Sequence, residues 1–241
     1  MKKAKILIIV EGSRVDARLM KHLFQLYQID AKYEIVSYNT NIYVLYNQMF
    51  YAGTPEDMDI LQVLKEHESS EDRKQIFEQD FTDILLVFDL DPHDPQFTKG
   101  KVSAMMEYFV ESTDMGRLYL NYPMVESFYH MSAIPDPDFN DRTATLGELH
   151  DRTYKQRVNA ENRNRDYSKF AVTCEECSII IRQNIAKGCH ILSVSSGNRL
   201  PDSASILGEQ LDTLDTFGKV YVLCTCVFFI AEYNPRLLWS S

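Results

Sequence analysis

Two runs of apolar residues in this chain each end in acidic side chains, and this arrangement limits the folds that the chain can adopt. Residues 6–10 read Ile-Leu-Ile-Ile-Val and lead into Glu11, while residues 84–88 read Ile-Leu-Leu-Val-Phe and lead into Asp89 and Asp91. Continuous apolar runs of this length are typical of parallel strands buried on both faces. Because the carboxyl ends of parallel strands open onto one crevice, the pattern predicts that these three carboxylates point into the same crevice.

The first 135 residues alternate between helix and strand patterns, which indicates an α/β fold. Besides the two acid-ended strands, the predicted elements are a helix over 13–27, a strand over 33–37, a helix over 101–111 and a strand over 117–122. We therefore expect a mostly parallel sheet flanked by helices.

A helical insertion is expected at about 42–79, between the first two strands and the strand that leads into Asp89. Within it, Pro55 sits where a first-turn proline would open a helix over 56–67. Ser70 is expected to cap a short helix over 70–78.

The prolines at 135 and 137 mark a loop, and we place the main change in organisation there. Residues 1–135 are predicted to form one α/β domain, and residues 136–241 a mainly helical C-terminal region. Its predicted helices cover 145–155, 170–186, 203–217 and 221–233. The run 220–230 is equally compatible with a buried strand, because β-branched and aromatic residues dominate it.

The composition indicates a folded protein that does not bind nucleic acid over its whole surface. The chain has 241 residues, 45% of them hydrophobic, and its 25 basic and 35 acidic residues give a net charge of −10. A local basic groove is compatible with these numbers. The first apolar run is too short for a signal peptide and the run 220–231 too short for a bilayer, so we expect a cytoplasmic protein without a membrane partner.

The five cysteines give no even disulfide framework, which favours a reducing compartment. Cys174 and Cys177 have the spacing of half a zinc site, but no second ligand pair follows at the usual distance. The apolar stretch after them favours ordinary residues of a helix.

The motif Glu11-Gly12 followed by Asp89-Leu90-Asp91 resembles the Toprim domain, over roughly the first 130 residues. The resemblance implies that Glu11, Asp89 and Asp91 bind Mg²⁺ (or Mn²⁺) for phosphodiester cleavage or nucleotidyl transfer. Residues 122–128, Tyr-Pro-Met-Val-Glu-Ser-Phe, are similar to the later acidic motif of the overcoming-lysogenization-defect (OLD) nucleases and RloB-like defence proteins. This similarity implies that Glu126 helps to hold the metal.

One departure from the OLD nucleases is the absence from the sequence of a Gly-x-x-x-x-Gly-Lys-Ser/Thr loop. Those nucleases join their Toprim domain to an ATPase domain. The resemblance therefore implies a stand-alone enzyme or one that depends on a regulatory or ATPase partner protein.

The chemistry of the acids supports a metal site independently of the resemblance. Mg²⁺ prefers hard oxygen ligands, and Asp89 and Asp91 share one face if the strand continues to Asp91. Each motif alone is also a common turn sequence, so the conjunction of the motifs carries the prediction. Asp16 is expected to be a first-turn helix acid, and His93 and Asp94 to be loop residues.

A basic segment at 152–169 stands out in an otherwise acidic chain. Tyr154 and Tyr167 lie within it, and Phe170 directly follows it. Its cations are Arg152, Lys155, Arg157, Arg163, Arg165 and Lys169. Basic side chains neutralise phosphates and exposed aromatics stack on bases, so these six residues are candidate nucleic-acid contacts. A solvent-exposed helix face would equally explain the presence of six basic residues. Lys101, close after the acidic loop, is expected to touch the scissile phosphate.

Three functions are compatible with these features. The leading one is a Mg²⁺-dependent nuclease acting on RNA or DNA, which the resemblance places among toxic effectors of bacterial phage defence. The second is a nucleotidyl transferase acting on a small nucleotide. The third is a non-enzymatic module that binds a nucleotide or a partner. The sequence indicates no oligomeric state.

Overall fold

The computed structural model describes residues 5–29, 31–51, 55, 58–113, 115–195 and 199–239. The chain forms two compact units. The first unit comprises Met1–Phe24, Gln28–Phe88 and Thr98–Tyr119, and the second comprises Gln25–Tyr27, Asp89–Phe97 and Leu120–Ser241. The predicted division near residue 135 stays a prediction.

A mostly parallel five-stranded sheet flanked by helices confirms the predicted α/β class. Its strands are β1 (Lys5–Val10), β2 (Lys32–Ser37), β3 (Asp83–Asp89), β4 (Val110–Glu111) and β5 (Gly116–Asn121). Their spatial order is β2-β1-β3-β5-β4. Strand β1 pairs in parallel with β2 and β3, and β4 pairs antiparallel with β5.

The central position of β1 follows from its composition. Residues 6–10 are fully buried, which an apolar run without alternation requires. The parallel register sets Val10 opposite Val87 of β3. The predicted strands at 33–37 and 117–122 are confirmed within one residue at each end.

Five helices lie between or after these strands: α1 (Val15–Leu26), α2 (Ile42–Phe50), α3 (Ile60–His67), α4 (Glu71–Lys74) and α5 (Lys99–Tyr108). The predicted start of the second insertion helix is wrong at Met58 and Asp59, because Asp59 caps α3 by accepting a hydrogen bond from the Leu61 N–H. Residues 56 and 57 lie outside the described residues.

The predicted helix over 101–111 is wrong at its end. Helix α5 stops at Tyr108, and Val110–Glu111 forms β4 instead. The reason is tertiary, since Val110 and Glu111 pair as a β-strand with Arg117 and Gly116 of β5.

The second unit contains helices, a small sheet and 3₁₀ turns. Its helices are α6 (Leu146–His150), α7 (Tyr154–Glu161), α8 (Cys174–Ile191), α9 (Ser203–Phe217), α10 (Phe228–Tyr233) and α11 (Arg236–Trp239). Strands β6 (Thr143–Thr145) and β7 (Lys219–Tyr221) form an antiparallel pair. The 3₁₀ helices are Val125–Tyr129, Phe139–Asp141 and Tyr167–Lys169. None of the helices in the described residues has the length and apolar character needed to cross a bilayer.

Several predicted boundaries in this unit change. The predicted helix over 145–155 is two helices, because Arg152 adopts a left-handed φ of 58° between them. Helix α8 begins only at Cys174, after its cap Thr173. The run 220–230 fits neither alternative, since its start pairs as β7 and its end is part of α10. The prediction for 203–217 is confirmed at both ends.

The segment 222–226 lies along the end of β5 within the second unit. Tyr122 and Leu223 exchange two backbone hydrogen bonds of 2.8 Å. The Thr225 hydroxyl donates to the Leu120 carbonyl at 2.9 Å, and the Cys226 N–H donates to Asn121 Oδ1 at 3.3 Å. This segment therefore fixes the end of β5, whose last residue, Asn121, donates a hydrogen bond to Asp89.

Candidate functional site

Asp89 is a buried carboxylate at the last position of β3, where it is 7% exposed. Asn121, the last residue of β5, donates from Nδ2 to Asp89 Oδ1 at 3.4 Å. Asn121 is itself fully buried and held by the Cys226 N–H. Asn121 thus orients Asp89. This role could not be predicted from the sequence, because a single buried asparagine leaves no local pattern.

Asp91 lies outside the strand, which corrects the expectation that the strand continues to it. Strand β3 ends at Asp89, and Asp91 has a φ of +39°. The Asp91 N–H donates to the Pro123 carbonyl at 3.2 Å, and the Asp91 carbonyl closes a turn by accepting from Asp94 at 2.9 Å. The two carboxylates are therefore positioned by a turn and not by alternation along one strand.

Glu126 is the second residue of the 3₁₀ helix Val125–Tyr129 and is 4% exposed. Its Oε1 lies 3.0 Å from Lys155 Nζ. Its Oε2 is buried and accepts no hydrogen bond from any residue that the structure describes. A buried carboxylate with one oxygen unsatisfied is costly, and such an atom suits a further cation or donor.

Lys155 forms an ion pair with Glu126, and the charges of Asp89 and Asp91 also act on its ammonium. Burial alone would lower its pKa, but the charges of Glu126, Asp89 and Asp91 outweigh burial and raise the pKa of the ammonium. When all four groups are ionised, three carboxylates and one ammonium carry a net charge of −2. The set therefore still attracts a divalent cation.

Helix α7, which carries Lys155, is held at both ends by the buried His130. The Tyr154 hydroxyl at its start lies 3.3 Å from His130 Nδ1, and Glu161 at its end lies 2.9 Å from His130 Nε2. Arg142 NH1 also reaches Glu161 Oε2, at 2.5 Å. These contacts fix the helix beside the 3₁₀ helix of Glu126.

Glu11 belongs to the first unit, where it follows β1. Its N–H donates to the Val87 carbonyl at 3.1 Å and its carbonyl accepts from Asn39 at 3.0 Å. Asp16 is confirmed as a first-turn acid of α1. Its Oδ2 would lie 2.7 Å from a Cβ at Gly12, so glycine leaves room for this buried carboxylate.

Lys101 also belongs to the first unit, in the first turn of α5. Its Nζ lies over the ring of Tyr46 at 5.6 Å and over that of Tyr51 at 5.9 Å. These are cation–π distances. A contact of Lys101 with the scissile phosphate stays a prediction.

The basic segment is only partly available for a ligand. Arg157 lies 2.5 Å from Glu148, and Arg163 lies 2.6 Å from Glu176. Lys169 lies at 3.8 Å from Asp166. Nucleic-acid contact by these residues stays a prediction, but their ion pairs show that part of the positive charge is neutralised within the fold.

The expectation that the aromatic residues of this segment are exposed is wrong for two of three. Tyr154 and Phe170 are buried, at 1% and 2% exposure. Tyr167 stacks on Tyr129 at 4.0 Å with an interplanar angle of 4°. The hydrophobic effect places the rings of Tyr154 and Phe170 in the core, where they cannot stack on bases.

The donors of this site fit a hard divalent cation in their chemistry. Asp89, Asp91 and Glu126 offer only oxygen atoms, and Glu126 Oε2 is buried without a hydrogen-bond donor among the described residues. Across the described ranges, no group of three or more His, Cys, Asp or Glu side chains is already arranged around one metal position. Lys155 contributes the positive charge in the arrangement seen here.

Comparison with known proteins assigns no family. No protein-family model, curated protein or solved structure matches the chain. The Toprim resemblance therefore depends on the sequence motifs alone.

Proposed function

We propose that this protein is a Mg²⁺- or Mn²⁺-dependent nuclease of the Toprim type, which hydrolyses phosphodiester bonds of RNA or DNA. The single observation that carries the proposal is the buried carboxylate of Glu126, whose Oε1 lies 3.0 Å from Lys155 Nζ and whose Oε2 accepts no hydrogen bond from the described residues. Three acids that the motifs single out act on one cation within one compact unit. Ordinary turn acids would be expected in solvent, whereas Asp89 and Glu126 are both buried.

Each side chain has a distinct task in this proposal. Asp89, Asp91 and Glu126 would hold the ion, and Asn121 fixes the orientation of Asp89. Bound Mg²⁺ would polarise the scissile phosphate and favour the hydroxide form of an attacking water. Lys155 offsets part of the negative charge of these acids.

We also propose Glu11 as a Mg²⁺ ligand, on the strength of its motif alone. It follows the central strand β1, and its main chain is fixed by hydrogen bonds to Val87 and Asn39. Its replacement by glutamine tests this role without changing the shape of the side chain.

The test is incubation of the purified protein with RNA, single-stranded DNA and plasmid, in Mg²⁺ or Mn²⁺ and in EDTA. We expect cleavage only with metal, and a loss on the order of 100-fold or more in Asp89→Asn and Glu126→Gln, because even residues behind metal ligands change activity 10- to 100-fold. The matched control is Glu209→Gln, which changes an exposed acid of α9 in the same way.

Binding of Mn²⁺ by the same variants, measured by electron paramagnetic resonance, separates the metal site from the reaction. Loss of Mn²⁺ binding in Asp89→Asn and Glu126→Gln supports the ligands even if no substrate is cut. Equal cleavage by the wild type and both variants would contradict the proposed site.

A nucleotidyl transferase is the second candidate. It is favoured by the ion pairs Arg157–Glu148 and Arg163–Glu176, which leave less free positive charge for a long nucleic acid. Incubation with nucleoside triphosphates and detection of pyrophosphate separates it from the nuclease.

We further propose that the protein is a cytoplasmic effector in phage defence. Expression of the wild type and of Asp89→Asn in bacteria that are challenged with phage tests this role.

A further inference from the structure

Strand β2 lies at one edge of the five-stranded sheet, and among the described strands it pairs with β1 alone. Its six residues follow β1 in an unbroken parallel register, so the strand contains no bulge. It contains neither proline nor glycine. Proteins commonly protect a sheet edge with a short or interrupted strand, and β2 has neither form of protection.

The opposite edge of the sheet is protected in the usual way. Strand β4 has only two residues, and the Arg117 guanidinium donates a hydrogen bond to the Val110 carbonyl at 3.1 Å. The two edges therefore differ in their capacity to accept a further strand. Strand β2 is a long and regular template, and β4 is not.

The outer edge of β2 carries unpaired main-chain groups. The Tyr38 N–H, directly after the strand, donates to the Val10 carbonyl of β1 at 2.8 Å. Because the main-chain groups of successive strand residues point to opposite edges, Tyr33 and Ile35 direct their N–H and C=O groups away from β1. These groups have no hydrogen-bond partner in the described part of the chain. They are therefore available to a strand from another molecule.

Lys32 and Glu34 give this edge a self-complementary pattern of charge. The two residues share one face of β2, because they are two positions apart. Lys32 is exposed and Glu34 is only partly buried, and neither forms an ion pair with a described residue. Opposite charges that face each other across an antiparallel pair of strands stabilise the pairing, and like charges destabilise it.

We propose that two copies of this chain associate through β2, as antiparallel neighbours related by a two-fold axis at Tyr33. Each Tyr33 then exchanges main-chain hydrogen bonds with its counterpart, and Lys32 of each copy lies opposite Glu34 of the other. Lys32 and Glu34 form the type of cross-strand pair without mutual hydrogen bonds, in which the side chains are closest. The two five-stranded sheets join into one.

The charges select this register over its neighbours. An axis at Glu34 would set the carboxylate against its own copy, and an axis at Ile35 would set Glu34 opposite Val36. The axis at Tyr33 pairs both charges with opposite ones. A second copy carries this complementary pattern in its own sequence, which favours it over a strand of a different protein.

The test is the dissociation constant of the dimer of the full chain, measured by sedimentation equilibrium. We expect a monomer–dimer equilibrium in the wild type. Lys32→Glu and Glu34→Lys each create two pairs of like charges and should weaken the dimer about tenfold or more. An equimolar mixture of the two variants should form a heterodimer as stable as the wild-type dimer, because every charge in it again lies opposite its counterpart.

Lys169→Glu is the matched control, since it reverses the charge of an exposed lysine in the second unit and changes the net charge of −10 by the same amount as Lys32→Glu. Its dimer should stay within about twofold of the wild type in stability. Equal weakening by Lys169→Glu would overturn the inference, because net charge alone would then explain the loss.

Three further results would also overturn the inference. A wild type that stays monomeric at its highest soluble concentration leaves the edge of β2 to a strand from a different protein. A dimer that neither variant weakens has its interface elsewhere. Weakening by Lys32→Glu and Glu34→Lys without recovery in their mixture contradicts the antiparallel register. These measurements are independent of the proposed nuclease, because they change none of its proposed ligands.

Discussion

The Lys155 ammonium lies 3.0 Å from Oε1 of Glu126, yet the side chain of Glu126 is 5% exposed while that of Lys155 is 58% exposed. A buried carboxylate is therefore compensated by a side chain that reaches it from solvent. The lysine can leave without opening a cavity in the core, because most of its stem is already in water. The pair is thus suited to exchange, in which a more highly charged cation takes the place of the ammonium.

Replacing Lys155 by methionine should leave Glu126 buried without its counter-charge. We expect a loss of about 1 kcal/mol of unfolding free energy in EDTA, a discounted value because the lysine is more than half exposed. Mg²⁺ or Mn²⁺ should restore more stability to this variant than to the wild type. Thermal unfolding with and without metal measures both effects.

Lys169→Met is the control for that experiment, since Lys169 is 73% exposed and 3.8 Å from its partner Asp166. Its melting temperature should not change, with or without metal. An equal response to metal in both variants would exclude a special role for Lys155.

Variants of Asn121 and Asn184 can separate the effect of orienting Asp89 from an effect on folding. Both are fully buried, and both accept a hydrogen bond from the segment 222–226, at Cys226 and Cys224 respectively. Only Asn121 also donates to Asp89. We expect alanine at either position to destabilise the protein, but only Asn121→Ala to weaken Mn²⁺ binding, by about tenfold. Calorimetric titration of both variants with Mn²⁺ decides this.

His130 should make stability depend on pH in a defined window. Burial, reinforced by the charges of Arg157 and Arg142 and opposed by Glu161, lowers the pKa of His130 to about 4. The unfolded chain takes up this proton near its ordinary pKa of about 6.5 and the folded chain only near 4, so stability falls as the pH drops between these values. The full loss is about 3 kcal/mol. Urea unfolding from pH 7.5 to 4.5 measures it.

The variant His130→Gln keeps a polar partner for Glu161 and Tyr154 but cannot titrate. Its stability should depend less on pH in this window than that of the wild type. Asp136 does not contribute to this pH dependence. Burial would raise its pKa, but hydrogen bonds and Arg142 hold the pKa below its ordinary value, so its contribution to stability is lost only at lower pH. The same slope in both proteins would contradict the assignment to His130.

Two helix glycines should respond in opposite directions to alanine. A Cβ at Gly188 in α8 would lie 2.6 Å from Cγ of Pro201 and 3.2 Å from Cδ1 of Ile206. At Gly208 in α9, no atom of the described structure lies within 4 Å of the added carbon. We expect Gly188→Ala to destabilise by about 1–3 kcal/mol through overpacking, and Gly208→Ala to stabilise by about 0.5–1 kcal/mol. Chemical denaturation of both variants measures these changes.

Elements whose signals are local could be predicted from the sequence. Strand β1 is a continuous apolar run, and helix α9 is bounded by its cap Asp202 and by Gly218 with a φ of 62°. Elements set by distant residues could not be predicted. The pairing of β7 with β6 divides an apolar run that resembles one element, and the left-handed Arg152 interrupts a helical pattern without glycine or proline.

The candidate site was predictable in its acids and less so in their surroundings. The motifs singled out Asp89 and Glu126, which are buried in the same unit. Lys155 was expected to contact nucleic acid, whereas it pairs with Glu126. Charge in a sequence does not reveal its partner, because ion pairs between distant residues depend on the tertiary fold.

The hydrogen bonds between the segment 222–226 and residues 120–122 have a consequence for genetics. The strand end beside Asp89 depends on partners encoded about one hundred codons downstream. A stop codon that removes Cys226 should therefore inactivate the site as fully as a change of Asp89 itself. By the same reasoning, exchanging the C-terminal half between related chains should preserve the site only where both the asparagine and its downstream partner are inherited together.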